Sequence, residues 1–143
     1  MSTQEFEIRI MTAFPPEFLR AARALYLENG WIDGSAPESF PGDAFAGSFL
    51  VAAAFTSRGE LAGVGRCLSD GVSDAFIQDV MTARPFRRRG VGKLVTTTLV
   101  AELKKRGVDW IGLVGVPGTE KFYAECGLRP APGHTLWLEG ETR

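Results

Sequence analysis

The stretch RPFRRRGVGKL, from Arg84 to Leu94, places five cations and two glycines within eleven residues. No acidic residue occurs from Val80 to Ala101. The chain as a whole is not basic, because 16 Lys and Arg stand against 17 Asp and Glu. The positive charge is therefore local, and this stretch is expected to meet something negative.

A long helix is predicted directly after the basic stretch. Apolar residues recur there at three- and four-residue steps, which indicates an amphipathic helix from Gly90 to Arg106 that ends at Gly107. Unpaired backbone N–H groups at its first turn, together with the helix dipole, favour an anion. Gly90 and Gly92 leave room for a phosphate to approach the backbone, so the turn suits a pyrophosphate. Taken alone, the same pattern is equally typical of a solvated charge run before a helix.

The preceding sequence predicts an antiparallel meander. EFEIRIM alternates as a first strand from Phe6 to Ile10, and a helix follows from Pro15 to Gly30. SFLVAAAFTSRGELAGVGRCL indicates two strands joined by a turn at residues 57–60, and DAFIQDVMTA indicates a third. A short helix is the most that residues 31–47 offer.

Three further elements are predicted after the long helix. The segment WIGLVG is typical of a strand buried on both faces. The segment GTEKFYAECG indicates a helix with Thr119 as a candidate N-cap, and HTLWLEG indicates a last strand. We therefore expect one domain over residues 1–143, of the α/β class. Its central sheet is expected to be mixed, mostly antiparallel and flanked by helices.

Several function classes are disfavoured by the sequence. Cys67 and Cys126 lie far apart without a CxxC, and His134 is the only histidine, so we expect reduced structural thiols and no metal site. No leader peptide is recognisable and no apolar run approaches the roughly 20 residues that span a bilayer. The near-neutral charge disfavours nucleic acid and an anionic membrane as partners. A cytoplasmic protein is the expectation.

Two motifs resemble one known family. RRRGVG, from Arg87 to Gly92, matches the R/Q-x-x-G-x-G/A pattern of the GNAT (general N-acetyltransferase) superfamily, and GTEKFYAECGLRP resembles its closing FY-x-x-x-G-[FL] segment. The resemblance is firm from about Phe49 to Leu128. Within the superfamily, the chain is most similar to small bacterial relatives of the serotonin N-acetyltransferases of plastids and cyanobacteria, in the segments LYLENGW, SFLVAAAF, GVGRCLSDG and FIQDVMT. The resemblance implies a GNAT fold, acetyl-CoA as donor and a primary amine of a small molecule as acceptor.

The resemblance also implies roles for particular residues. The amine attacks the thioester directly while both substrates are bound, Tyr123 protonates the CoA thiolate, and Asp79 is either the base or the anchor of the acceptor ammonium. A backbone donor near Val80 and Met81 polarises the carbonyl. The implied acetyl-CoA site comprises Val80, Met81, Arg87, Arg88, Arg89, Gly90, Val91, Gly92 and Lys93.

Each catalytic candidate has a structural alternative. Tyr123 is otherwise the amphipathic edge of a core helix, paired with Phe122. Asp79 is otherwise a solvent-facing residue, although alternation along FIQDVMT groups it with Ile77 and Met81 and argues against this.

The acceptor side departs from the family pattern. Gln78 stands where a tryptophan is common, and Val116 stands where a polar residue is frequent. Trp31 and Asp33 are candidates for the acceptor pocket, with a core position as the alternative for Trp31. The identity of the acceptor therefore stays open.

Three alternatives to a small-molecule N-acetyltransferase stay open at this point. They are a non-catalytic CoA-binding sensor or scaffold, a peptide or protein N-acetyltransferase, and a nucleic-acid module built on the arginines, which the net charge disfavours. A homodimer is a further expectation, because HTLWLEG leaves an edge or apolar face that a partner could cover.

Overall fold

The structure is a computed structural model and describes residues 5–140. Five strands form one sheet in the order of the chain: β1 (Glu7–Ile10), β2 (Leu50–Phe55), β3 (Leu61–Ser69), β4 (Asp74–Thr82) and β5 (Trp110–Leu113). β1 to β4 pair antiparallel, whereas β5 pairs parallel to β4. The predicted α/β class with a mixed, mostly antiparallel sheet is confirmed.

Helices cover both faces of the sheet. They are α1 (Pro16–Glu28), α2 (Gly42–Ala46), α3 (Val91–Lys105) and α4 (Glu120–Glu125), with a 3₁₀ turn at Arg84–Phe86. One core cluster lies between the sheet and α3, and the other lies between the sheet and α1 with α2. α3 agrees with the predicted helix to within one residue at each end.

Two glycines of β3 allow α3 to lie close to the sheet. A Cβ built on Gly63 would stand 2.5 Å from Cγ1 of Val91, and one on Gly65 would stand 2.8 Å from Cγ1 of Val95. Real Cβ contacts are longer, so neither position accepts a side chain without moving the helix. This contact holds the N-terminal turn of α3 beside the end of β4.

Two predictions about the C-terminal third are wrong. β5 is not buried on both faces, because it is an edge strand whose only neighbour within residues 5–140 is β4, and the side chain of Trp110 is 47% exposed. HTLWLEG forms no strand. A strand needs a neighbour to satisfy its backbone groups, and the segment follows the breakers Pro130, Pro132 and Gly133 instead of lying along an edge.

Within the described residues, no helix has the length and apolar character needed to cross a membrane. The same part of the chain shows no group of three or more His, Cys, Asp or Glu side chains arranged to hold a metal ion. Cys67 and Cys126 are both buried and free.

Candidate active site

A β-bulge distorts β4 in the middle of the sheet. Val64 pairs with Met81 and Arg66 pairs with Gln78, so that two residues of β4, Asp79 and Val80, oppose Gly65 alone. Asp79 has a left-handed backbone with φ 57°. A bulge leaves its extra residue outside the regular ladder, and backbone groups become available there for other partners.

The bulge also changes which side chains share a face. Ile77 packs in the cluster under α3, whereas Met81 packs in the cluster under α1. Strict alternation along FIQDVMT predicts that Ile77, Asp79 and Met81 share one face of the sheet, and this is wrong for Ile77. The residue inserted at the bulge shifts the two-residue alternation of side chains by one position. Asp79 lies on the α1 side of the sheet, where Tyr26 reaches it.

The Asp79 carboxylate accepts two hydrogen bonds on one oxygen. The hydroxyl of Tyr26 donates to Oδ2 at 2.7 Å, and Nε of Arg66 donates to the same oxygen at 2.8 Å. Nη1 of Arg66 also donates to Oγ of Ser48 at 3.3 Å. Oδ1 receives no hydrogen bond from any residue between 5 and 140, and is therefore the oxygen left for a ligand.

The ionisation of this group follows from its burial and its charges. Burial raises the pKa of Tyr26, and the adjacent charge of Asp79 raises it further, so the phenol keeps its proton. Burial lowers the pKa of Arg66, but the hydrogen bond and charge of Asp79 outweigh this effect and raise it overall. Arg66 and Asp79 thus form an ion pair with a neutral phenol beside it.

Sequence reasoning missed both partners of Asp79. Tyr26 lies within the predicted helix from Pro15 to Gly30, where its spacing from other apolar residues indicates only a core-facing position. Arg66 carried a usable signal, because it is a single cation inside the apolar strand LAGVGRCL, as Asp79 is a single acid inside the next strand. Opposite charges in neighbouring apolar strands indicate a buried pair.

A cleft of about 280 Å³ opens where β4 and β5 part. The last residues paired between these strands are Ile77 and Leu113. Polar groups enter the cleft from Gln78, Asp79, Thr119 and Tyr123, and its apolar lining includes Trp31, Phe76, Val80, Val114 and Val116. The two catalytic candidates named from the sequence, Asp79 and Tyr123, therefore line the same cleft.

Tyr123 comes from α4 and is half-buried, not part of either core cluster. Burial raises the pKa of its phenol, and the nearby thiol of Cys126 adds a smaller effect in the same direction. The ring of Phe122 packs edge-on against it, with ring centres 4.9 Å apart. Tyr123 is thus a protonated hydroxyl at the wall of the cleft.

Of the two further candidates for the acceptor pocket, Trp31 lines the cleft and Asp33 does not. Trp31 is 46% exposed and lines the cleft, so it is not a core residue, whereas Asp33 is absent from the lining and accepts the backbone N–H of Ser35 at 2.8 Å. Gln78 and Val116 both line the cleft, so the two departures from the family pattern fall inside it. Of the implied backbone donors, Val80 reaches the cleft and Met81 is buried in the core.

The basic turn ends at an open helix N-terminus. Gly90 is the N-cap of α3 with φ 81°, and a Cβ built on it would meet nothing within 4 Å. Leu94 makes the first backbone hydrogen bond of the helix, to the carbonyl of Gly90 at 2.9 Å. The N–H groups of residues 91–93 therefore point out of the helix end, where its dipole is positive. This cradle fits an anionic group.

Three of the five cations hold the turn in place. Nε of Arg87 donates to the carbonyl of Thr82 at 3.2 Å, and its Nη2 donates to Oδ1 of Asn29 at 3.3 Å. Arg84 pairs with Glu28 at 4.0 Å, and Arg89 pairs with Glu5 at 2.7 Å.

The remaining two cations are available to a ligand. Within residues 5–140, the side chains of Arg88 and Lys93 make no hydrogen bond or ion pair. Arg88 has a left-handed backbone with φ 64°, next but one to Gly90. The cations of the motif thus divide into a group that shapes the turn and a group that can meet an anion.

Two curated plant proteins are similar in sequence to part of this chain. The chain is 32% identical over 91 residues to GCN5-related N-acetyltransferase 3, chloroplastic, from Arabidopsis thaliana, covering 64% of this chain and 37% of that protein. It is 32% identical over 84 residues to Serotonin N-acetyltransferase 2, chloroplastic, from Oryza sativa subsp. japonica, covering 59% and 42%. The matches thus span less than half the length of these two relatives.

A solved GNAT family acetyltransferase from Streptococcus pneumoniae TIGR4 superposes with a TM-score of 0.74 at 19% identity. The superposition covers 95% of this chain and 99% of that one, which shows a shared fold. Residues 10–128, which include the bulge, the basic turn and α4, match the model of the acetyltransferase (GNAT) family. The chain therefore belongs to the GNAT acetyltransferase family.

Proposed function

We propose that the protein transfers an acetyl group from acetyl-CoA to the primary amine of a small molecule, by direct attack while both substrates are bound. The observation that carries this proposal is a single cleft that holds the β4 bulge, the Asp79 carboxylate and the Tyr123 hydroxyl. The open N-terminus of α3 follows the same strand. Membership of the GNAT family supports the assignment.

The donor side follows from the basic turn. The outward N–H groups of residues 91–93 and the cations Arg88 and Lys93 bind the pyrophosphate of acetyl-CoA. Gly90 leaves space for it, whereas Arg87 and Arg89 act by shaping the turn. The N–H of Val80, at the bulge, donates to the thioester carbonyl oxygen as it becomes negative.

The chemistry requires one attack and three proton movements. The bound ammonium first loses a proton to water or to Asp79, because only the neutral nitrogen has a lone pair with which to attack. This nitrogen attacks the thioester carbonyl carbon, a C–N bond forms, and the C–S bond breaks. Tyr123 donates its proton to the departing sulfur, and the nitrogen of the new amide loses its second proton to water. The raised pKa of Tyr123 suits this role, because the phenol stays protonated until the thiolate appears.

The acceptor side favours a small amine with an apolar body. Among the described residues that line the cleft, Asp79 is the only one with a charged side chain, and its Oδ1 is left to bind an ammonium group. Trp31, Phe76 and Val116 offer apolar surface around it. One carboxylate with a free oxygen beside this apolar surface matches one ammonium on a molecule with an apolar body.

The test is a screen for CoA release in which acetyl-CoA is combined with arylalkylamines, polyamines, amino acids, aminoglycosides and short peptides. We expect turnover to be highest with monoamines that carry an apolar group. Turnover confined to peptides would make the protein a peptide N-acetyltransferase.

Calorimetry with acetyl-CoA, run in parallel, separates the remaining outcomes. Micromolar binding without turnover of any amine would indicate a CoA-binding sensor. Absence of binding would overturn the donor assignment itself.

A further inference from the structure

Asp79 adopts a backbone conformation that needs support from its surroundings. Its φ of 57° is left-handed, which is sterically unfavourable for a residue that has a Cβ, although less so for aspartate than for most other residues. It also lies at the bulge, where the β3–β4 ladder is interrupted. Strained residues of this kind persist when neighbouring contacts fix them, and they are concentrated at functional sites.

Two side chains from different elements provide that support. Tyr26 belongs to α1 and Arg66 to β3, and both donate to Oδ2 of Asp79. Arg66 is itself held by Ser48, whose hydroxyl donates to the carbonyl of Ala44 at 2.7 Å. The carboxylate is thus fixed from the helix side and from the sheet side.

Tyr26 also contacts the acceptor side of the cleft. Its ring lies edge-on to Phe40 with centres 4.7 Å apart, and to Trp31 with centres 6.3 Å apart. The backbone N–H of Trp31 donates to the carbonyl of Tyr26 at 3.1 Å. A single residue, 2% exposed, therefore connects the bulge with a wall of the cleft.

We infer that Tyr26 and Arg66 are positioning residues for the acetyl transfer, and this inference rests on the proposed function. By holding Oδ2 they fix the left-handed backbone of Asp79. That conformation directs the N–H of Val80 toward the thioester, and Oδ1 is left for the acceptor ammonium. Neither residue touches a reacting atom, and both act through Asp79.

The principal variant is Tyr26→Phe, which keeps the ring and its contacts and removes only the hydroxyl. We expect kcat/KM for the amine to fall by about 10-fold, the scale of one hydrogen bond to a charged group. The Kd for acetyl-CoA should change by less than about two-fold, because the basic turn is untouched.

The control is Thr96→Val, which removes another fully buried hydroxyl, one without a hydrogen-bond partner in the described residues, from α3 on the opposite face of the sheet from α1. This variant should leave kcat/KM for the amine unchanged. A comparable loss in both variants would reduce Tyr26 to an ordinary buried residue.

A double variant tests whether Tyr26 acts through Asp79. In an Asp79→Asn background, Tyr26→Phe should have a clearly smaller effect on kcat/KM for the amine than in the wild type, because the charged acceptor of its hydrogen bond is already gone. Arg66→Lys should recover part of the activity lost in Arg66→Gln. Additive effects of Tyr26→Phe and Asp79→Asn would contradict the inference.

A readout that needs no turnover separates this inference from the proposed function. Amide hydrogen exchange and NMR chemical shifts at Asp79 and Val80 report the bulge in the absence of substrate. Tyr26→Phe should accelerate exchange there by about 10-fold, and Thr96→Val should leave it unchanged. Unchanged exchange in Tyr26→Phe would overturn the positioning role even in an active enzyme. Altered exchange in a protein that acetylates no amine would overturn the proposed function, and with it the link to acetyl transfer, but would leave Tyr26 as a support of the bulge.

Discussion

Gly90 and Gly59 share the same left-handed backbone, with φ 81° at both positions, and a Cβ built on either would meet nothing within 4 Å. Gly90 caps the helix that follows the basic turn, whereas Gly59 lies in the turn between β2 and β3. The two residues therefore have equal backbone constraints and different surroundings.

This pair isolates the role of the basic turn. Gly90→Ala and Gly59→Ala should each lower the free energy of unfolding by about 1–2 kcal/mol, because both force alanine into a left-handed conformation. Only Gly90→Ala should weaken acetyl-CoA binding, by about 10-fold, since the phosphate approaches the backbone there. Calorimetric titration of both variants measures the difference.

An equal Kd for the two glycine variants would show that the turn does not bind the donor. Arg87→Ala should weaken binding less than Gly90→Ala, because Arg87 contacts Thr82 and Asn29 and acts only through the shape of the turn. Gly92→Ala is a less selective variant. Its Cβ would stand 3.0 Å from Cζ of Phe122 and would disturb α4 as well.

The pH dependence of stability should report the buried thiol of Cys67. Burial raises its pKa from 9.0 to about 11. Between these values the unfolded chain has released the proton and the folded chain has kept it, so the free energy of unfolding falls as pH rises. The expected loss is about 2 kcal/mol from pH 9 to pH 11.

Urea unfolding at several pH values checks this expectation. Cys67→Ala should lose less stability over that range than the wild type does. Tyr26 and Tyr123 also have raised pKa values and add to the loss above their ordinary value near 10. Val64→Ala, a non-titrating truncation of a fully buried residue, should keep the wild-type slope. Parallel curves for wild type and Cys67→Ala would contradict the assignment.

The long helix and the antiparallel meander are predictable from the sequence, whereas the contacts within the site are not. α3 follows from its apolar spacing and the flanking glycines, and the meander follows from its turns. The bulge cannot be recognised from the residue types in FIQDVMT. One inserted residue changes the face on which Asp79 lies relative to Ile77, and the amino-acid composition of the strand stays typical of a regular strand. Tyr26 lies 53 residues before Asp79, so only the packing of α1 on the sheet reveals the hydrogen bond.

The C-terminal segment shows a different limit of sequence patterns. Alternation predicts that a strand is possible, but its formation depends on an available partner edge. The side chains of Leu136, Trp137 and Leu138 are 57%, 88% and 61% exposed. Nothing in their own sequence specifies what they pack against.

We expect these three side chains to support a homodimer. Adjacent apolar side chains with this exposure are unusual on a monomer and mark interaction surfaces. Sedimentation velocity at micromolar concentration should show a dimer, and a Trp137→Ser, Leu138→Ser double variant should shift it toward monomer. Leu27→Ser, which alters a single exposed leucine on α1, is the control. A monomeric wild type would reject the expectation.

Tyr123 is the proposed proton donor to the departing CoA thiolate. Tyr123→Phe keeps the ring that packs against Phe122 and removes the proton donor, so kcat should fall by roughly 10²-fold or more, the usual scale of general acid catalysis. The Kd for acetyl-CoA should stay close to that of the wild type, because the hydroxyl acts on the departing sulfur and not on the bound donor.

The leaving group provides the control for this variant. An acetyl thioester whose thiol is more acidic than that of CoA needs less help from an acid, so the difference between Tyr123→Phe and wild type should shrink with it. A kcat that is unchanged with acetyl-CoA, under conditions where the chemical step limits the rate, would assign proton donation to water or another group. Tyr123 would then serve only to pack α4 against the cleft.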